Sequence, residues 1–243
     1  MKLPEKYFYL TIDVASFAFP FLFSFHPRIK FYKKWKFYLP SMLLTALFFI
    51  IWDEWFTRMN VWSFNPKYLL GIYVGHLPLE EILFFVFIPY CLSFMFHCLP
   101  LGTKINEQNS WLKFLNWAIA IFIFIIGISS IHQWYTGFTF IATGLFLAII
   151  LLLDKQNLFP WKQFWFTYLL SLIPFFIVNG LLTSIPIVTY NNAENLSIRI
   201  TTIPVEDSVY NLLLFLCNIA GMIFFFKNLI TYCNCLHKTC RKH

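Results

Sequence analysis

Of the 243 residues, 59% are hydrophobic and only 12% are charged. A water-soluble domain carries roughly 25% charged residues, so a fold with a water-facing surface all round is excluded. A formal net charge of +7 would suit nucleic acid in a soluble protein. Here the basic residues sit in short segments between apolar runs, where they set membrane topology, and no nucleic-acid partner is expected.

Apolar runs of about 20 residues, the length of a membrane-crossing helix, recur along the whole chain and predict spans over residues 7–25, 38–56, 78–99, 113–131, 135–153, 163–183 and 204–226. The first run contains Asp13 and Pro20, lacks a small-residue cleavage site and is followed by His26-Pro27-Arg28. It reads as a retained helix, not a signal peptide. The expectation is an all-α membrane protein of about seven transmembrane helices forming a single membrane domain. Cys91, Cys98 and Cys217 lie within apolar runs and read as small packing residues. The remaining three form Cys233-x-Cys235-x-His237-x-x-Cys240 in a basic tail over 231–243. That spacing matches no standard zinc pattern, so no metal is assigned.

Loop charge selects an orientation. Lys2, Lys6, Arg58, Lys67 and Arg199 fall on the side of the N-terminus, and the other thirteen basic residues fall opposite. This predicts the N-terminus outside and the C-terminus in the cytoplasm, in a bacterial inner membrane.

A shift of 126 residues brings separate polar features into register: Pro78-Leu79-Glu80-Glu81 falls on Pro204-Val205-Glu206-Asp207, Asn65 on Asn191, Thr57 on Thr183 and Asp53 on Asn179. Shared hydrophobicity alone does not align polar positions. The shift carries spans one to three onto spans five to seven and leaves span four as a connector. The expected organisation is a first repeat over 1–100, a connector over 101–132 and a second repeat over 133–230. One extra crossing between the halves makes the two three-helix repeats parallel, about an axis normal to the membrane. A site at their interface would draw on both halves.

The acids Glu80, Glu81, Glu206 and Asp207 all begin spans. Proline at a helix start followed by acids is also ordinary helix-capping chemistry. Its recurrence at matched distance from Trp52-Asp53 and Asn179-Gly180 favours a site. Adjacent carboxylates repel, so one of each pair tends to hold a proton and becomes a candidate donor. Asp13, inside the first span, has Thr139 as its counterpart in the repeat and reads equally as a functional acid or a hydrogen-bonding partner. Arg199 is placed to neutralise a member of the second acidic pair, and His76 reads either as a proton relay to the first or as a solvated loop residue. Trp52, Trp55 and Trp62 read as part of an aromatic belt at the membrane interface or, more sharply, as aromatic faces that stabilise cations. Acids and aromatic faces in a dry cavity suit carbocation chemistry on a polyene.

Trp52-Asp53-x-x-Phe56, Trp62-x-Phe64-Asn65-Pro66, Leu77-Pro78-Leu79-Glu80-Glu81 and Ile88-Pro89-Tyr90 resemble the first half of the heterodimer-type lycopene cyclases. Asn179-Gly180-x-Leu182-Thr183, Arg199-x-x-x-Ile203-Pro204-Val205-Glu206-Asp207 and Tyr210 resemble the second half. The resemblance covers nearly the whole chain, departing at Ser63, where the family often has glycine, and in the Cys-rich tail. It implies a redox-neutral cyclisation of the linear ends of lycopene to β-rings within carotenoid biosynthesis, an isomerase reaction. It also implies a lycopene-like linear carotenoid as substrate, the bilayer as surroundings and other carotenoid-pathway enzymes as neighbours. Glu80 or Glu81 in one half and Glu206 or Asp207 in the other are its implied acids, with Asp53 beside them. Trp52, Trp62, Asn65, Asn179, Arg199 and Tyr210 are the implied substrate-binding residues. No cofactor is required by stoichiometry, and the chain has no G-x-G-x-x-G flavin motif.

A membrane prenyltransferase needs carboxylates spaced to hold Mg²⁺ and pyrophosphate, and no acid here is followed by another four residues on. A retinal protein needs a lysine within the last span, which has none between Pro204 and Phe226. The alternative from a different class is a membrane transporter with an acidic site at the repeat interface.

Overall fold

The computed structural model describes residues 4–100, 110–154 and 157–240, with side chains as far as residue 224. Seven helices follow the predicted spans closely: α1 (Phe8–Phe23), α2 (Trp35–Arg58), α3 (Leu79–Cys98), α4 (Ser110–Ser129), α5 (Trp134–Leu153), α6 (Trp161–Ser184) and α7 (Val205–Cys240). Six of them, α2 to α7, are long and apolar enough to cross a membrane. The 16-residue α1 falls short of that length, but it packs along α3 as its repeat counterpart α5 packs along α7. Exposed Leu, Ile and Phe side chains cover the outside of the bundle, including Leu44, Phe122, Leu153 and Ile177. This is the inverse of a water-soluble surface. The last helix outruns its predicted end at 226 because no glycine or proline follows Gly221 to stop it. The side chains of the Cys-rich tail lie outside the described residues.

Between α2 and α3, and again between α6 and α7, the chain builds a short extended cap: β1 (Trp62–Phe64), β2 (Tyr73–Val74) and β3 (Leu77–Pro78) in one half, β4 (Val188–Tyr190), β5 (Arg199–Ile200) and β6 (Ile203–Pro204) in the other. β2 pairs with β3, and β5 with β6, as matched hairpins. The hairpin turns need left-handed backbone at the same repeat positions. Gly71 and Gly75 supply it in the first half (φ 82° and 65°), whereas Ser197 and Thr201 adopt it at 58° in the second.

β1 and β4 pair with each other across the halves, antiparallel, with Ser63 opposite Thr189. These two residues are 126 apart and share a hydroxyl–hydroxyl hydrogen bond of 2.8 Å. A strand that pairs antiparallel with its own repeat image places a pseudo-two-fold axis at that point. The flanking bonds obey it: Asn65 N donates to Ile187 O at 2.8 Å, and Asn191 N donates to Val61 O at 2.9 Å. The expected parallel relation of the two three-helix repeats is the architecture observed. The connector α4 stands at the side, tight against α5: a Cβ on Gly127 would lie 2.6 Å from Ile141 N, and one on Gly144 would lie 2.9 Å from Ala120 O. Small residues permit this backbone approach in the absence of a hydrophobic drive between helices.

Candidate active site

The acidic helix starts are positioned by the hairpins. Pro78 is extended (φ −67°, ψ 152°) and hands the chain directly into α3. Leu79 N donates to Ile72 O at 2.9 Å, and Val205 N donates to Ile198 O at 3.1 Å in the other half. Successive residues of a helix point about 100° apart, so the two acids of each pair cannot face the same way. Glu80 turns to the cap, where its Oε1 accepts Leu70 N at 2.6 Å. Glu206 does the same for Leu196 N at 2.8 Å and also accepts from Thr136 Oγ1 at 2.6 Å. Glu81 and Asp207 turn inward.

They turn into one cavity of about 60 Å³, partly open to the outside and shared by both halves. Glu81, Asp207 and Asp53 line it, with Trp62, Asn179 and Tyr210 among the apolar and aromatic residues of its wall. Tyr210 meets Phe49 edge-on at 4.9 Å, and Trp62 meets Tyr135 edge-on at 5.1 Å. The Tyr210 hydroxyl and Asp53 Oδ2 are buried with no protein hydrogen-bond partner among the described residues. Six of the residues singled out from the sequence therefore meet in one place.

Three further tyrosine hydroxyls, of Tyr9, Tyr135 and Tyr190, complete the site, and sequence reasoning passed over them. Tyr9 donates to Glu81 Oε2. Its counterpart Tyr135 donates to Asp207 Oδ1 at 2.5 Å. Tyr190, from β4, adds a second phenol on Asp207 Oδ2 at 2.8 Å; the corresponding residue of the first half is Phe64, which has no hydroxyl. Burial first, then the neighbouring Asp207 carboxylate, holds the Tyr190 phenol well above its usual range, so it stays protonated and donates. The 126-residue register does match Tyr9 to Tyr135, a signal hidden by the abundance of aromatic residues near the interface.

The other singled-out residues lie off the cavity wall. Trp52 packs behind it, stacked on Phe49 at 5.9 Å. Asn65 caps the turn Pro66–Tyr68, its Oδ1 accepting Lys67 N at 3.1 Å. Arg199 lies over the Tyr190 ring, 5.3 Å from its centre, and is held by Asn192; it meets the aromatic partner of the acid and not the acid. His76 joins Glu54 and Arg58 in an exposed clamp, its Nδ1 2.7 Å from Glu54 Oε1. Asp13 is buried, and neither of its carboxyl oxygens nor the hydroxyl of its buried counterpart Thr139 has a hydrogen-bond partner among the described residues.

Comparison with known proteins meets this geometry at the same seam. The profile of the family described as "Lycopene cyclase" matches residues 6–99 and again 132–225. The chain belongs to the lycopene cyclase family. The two matched segments are offset by the same 126 residues that relate the acidic pairs and the strands at the axis. Among curated proteins, a "Bifunctional lycopene cyclase/phytoene synthase" of Podospora anserina is 27% identical over 151 residues, which is 58% of this chain and 24% of the relative. The chain thus spans about a quarter of that protein's length. No solved structure matches it.

Proposed function

We propose that this lycopene cyclase family member converts the linear ends of a carotenoid such as lycopene to β-rings, by acid–base chemistry between Glu81 and Asp207. The observation that carries the reading is that equivalent helix starts of the two halves send one carboxyl each into a single aromatic cavity. The family membership and the cyclase name of the relative supply the substrate class. In the reaction a carboxylic acid gives its proton to a terminal-region double bond. The neighbouring double bond attacks the resulting cation, a ring C–C bond forms, and the charge moves one position on. A carboxylate then removes a ring proton and restores a double bond. One proton enters and one leaves, so the formula is unchanged and no oxidant is needed.

The hydrogen bonds support a division of labour. Asp207 has both oxygens engaged by phenol donors, the arrangement of an acceptor; Glu81 receives one phenol, from Tyr9. Glu81 is then the acid and Asp207 the base. Asp53 adds negative charge and Tyr210, Trp62 and Phe85 add aromatic faces around the cationic intermediate. The loop charges support an orientation with this site near the outer face of the membrane.

The test is pigment analysis of lycopene-accumulating bacterial cells expressing the chain. Wild type should yield cyclic carotenoid. Glu81→Gln and Asp207→Asn should lose it at normal membrane levels, while Glu80→Gln and Glu206→Gln, which keep an oxygen for the cap amides, should retain it. Unchanged lycopene from well-expressed wild type overturns the reading and turns attention to substrate-dependent proton flux.

A further inference from the structure

The repeat generates two candidate side entrances to the cavity: the seam between α3 and α6, and its pseudo-symmetric image between α2 and α7. They are not alike. On the first, Ile88 of α3 and Phe175 of α6 line the cavity and remain partly exposed. Their images on the second, Leu214 and Phe49, are 2% and 0% exposed.

Three differences in sequence account for the contrast. Trp52 fills the α2 side, wedged among Phe49, Phe56 and Tyr210, whereas its image on α6 is the much smaller Val178. Gly221 of α7 lets α2 close in, since a Cβ there would lie 2.3 Å from Ser41 Oγ; its image on α3 is Met95. Ser41 Oγ donates to Asn218 O at 2.6 Å and ties α2 to α7. The image of Ser41 is Thr167, whose hydroxyl is buried with no hydrogen-bond partner among the described residues, so the backbone carbonyl of Leu92, the image of Asn218, receives no such bond from α6. The α3–α6 seam has a tie of its own at the far end of its helices, where Gln163 Nε2 donates to Phe96 O at 2.7 Å, so the contrast between the seams lies in the side chains beside the cavity.

We propose that the α3–α6 seam is the lateral portal by which the linear end of a polyene passes from the bilayer to Glu81 and Asp207, and that the α2–α7 seam is closed. The proposal rests on the cyclase reading for the identity of the occupant. The chemistry of the seam supports that occupant independently: an unfunctionalised hydrocarbon dissolves in the membrane core and needs a side entrance with apolar walls, which Ile88, Phe84 and Phe175 provide. The exposed Ile173 and Ile177 continue the apolar face of α6 into lipid.

Two measurements test it. Ile88→Trp and Val178→Trp should each lower cyclic product per molecule of membrane protein at least tenfold, with the melting temperature unchanged. Ile177→Trp, on the lipid face, should stay within twofold of wild type. Wild-type conversion by both plugged variants would overturn the portal. Independently, in proteoliposomes of a variant whose six cysteines are replaced by alanine, Phe175→Cys should react with a membrane-partitioned alkyl maleimide, and added lycopene should slow the reaction at least threefold. Phe49→Cys should stay unreactive. Equal labelling at the two positions, or labelling of Phe175→Cys indifferent to lycopene, would overturn the proposal. If wild type fails to cyclise lycopene while Phe175→Cys alone is labelled and protected, the enzyme reading falls and the portal stands.

Discussion

The surroundings of Glu81 and Asp207 are related by one repeat operation, and their differences are more informative than their likeness. Both carboxyls sit one residue after a cap-binding glutamate, and both take a phenol from the start of the first helix of their own half. Beyond that they part. The second half adds the Tyr190 hydroxyl on Asp207 and Thr136 on the neighbouring Glu206, while the first half has Phe64 and Leu10 at those positions and instead places Asp53 on the cavity where the second has Asn179. The first half therefore carries more acid, and the second carries more donors to its acid. Duplication supplies the frame, and the polar substitutions that break its symmetry supply two different chemical roles.

The largest expected effects come from removing either carboxyl. Positioned acid–base groups contribute about 10²- to 10⁴-fold to rate, so Glu81→Gln and Asp207→Asn should each lower single-turnover cyclisation in detergent by that order. A double variant should be little worse than either single one, since acid and base act in one reaction. Next comes Tyr190→Phe, which makes the second half resemble the first. A hydrogen bond to a charged group contributes about 1.5–3 kcal/mol, so the rate should fall roughly 10- to 100-fold with the melting temperature nearly unchanged. Rescue by no other residue at β4 is expected, whereas Phe64→Tyr should not raise the rate. A smaller effect is expected for Asp53→Asn, which gives α2 the polar residue of α6: a slowing of about tenfold or less, with membrane levels at or above wild type because a buried unpaired carboxyl oxygen is removed. The smallest sits in the hairpins. Left-handed backbone at a non-glycine residue stores roughly 1–3 kcal/mol. Thr201→Gly should therefore raise thermal stability by about 1 kcal/mol. Gly75→Ala should lower it by more, since its Cβ would also lie 2.8 Å from the Glu54 carboxylate.

Helix positions were legible because runs of Phe, Ile and Leu bounded by charges and turns fix a membrane helix to within a few residues, as α5 (Trp134–Leu153) shows against its predicted span of 135–153. The repeat was legible from the spacing of polar residues alone. What the sequence left open was the rotation of each helix about its axis. Glu80 and Glu81 differ only by that rotation, and the capped amide of Leu70 decides which acid faces the cap. Arg199 was placed by proximity in sequence to Glu206; the Tyr190 ring, brought in by the β4 strand, stands between. That strand pairs with β1 over a distance of 126 residues, a contact no local pattern announces. Tyr9 and Tyr135 were visible as a matched pair and were absorbed into the aromatic background.

Ser63 and Thr189 face each other on the axis, each bonded to the copy of itself in the other half. A surface of that kind is its own complement. Two identical three-helix units would meet through the same strand, in the same register, and enclose one cavity with two equal acids. The connector α4, packed at the flank on α5 alone among its strong contacts, then acts as a tether that keeps unlike copies together. A covalent link holds Phe64 beside Tyr190, and Trp52 beside Val178, in a fixed one-to-one ratio of unlike halves.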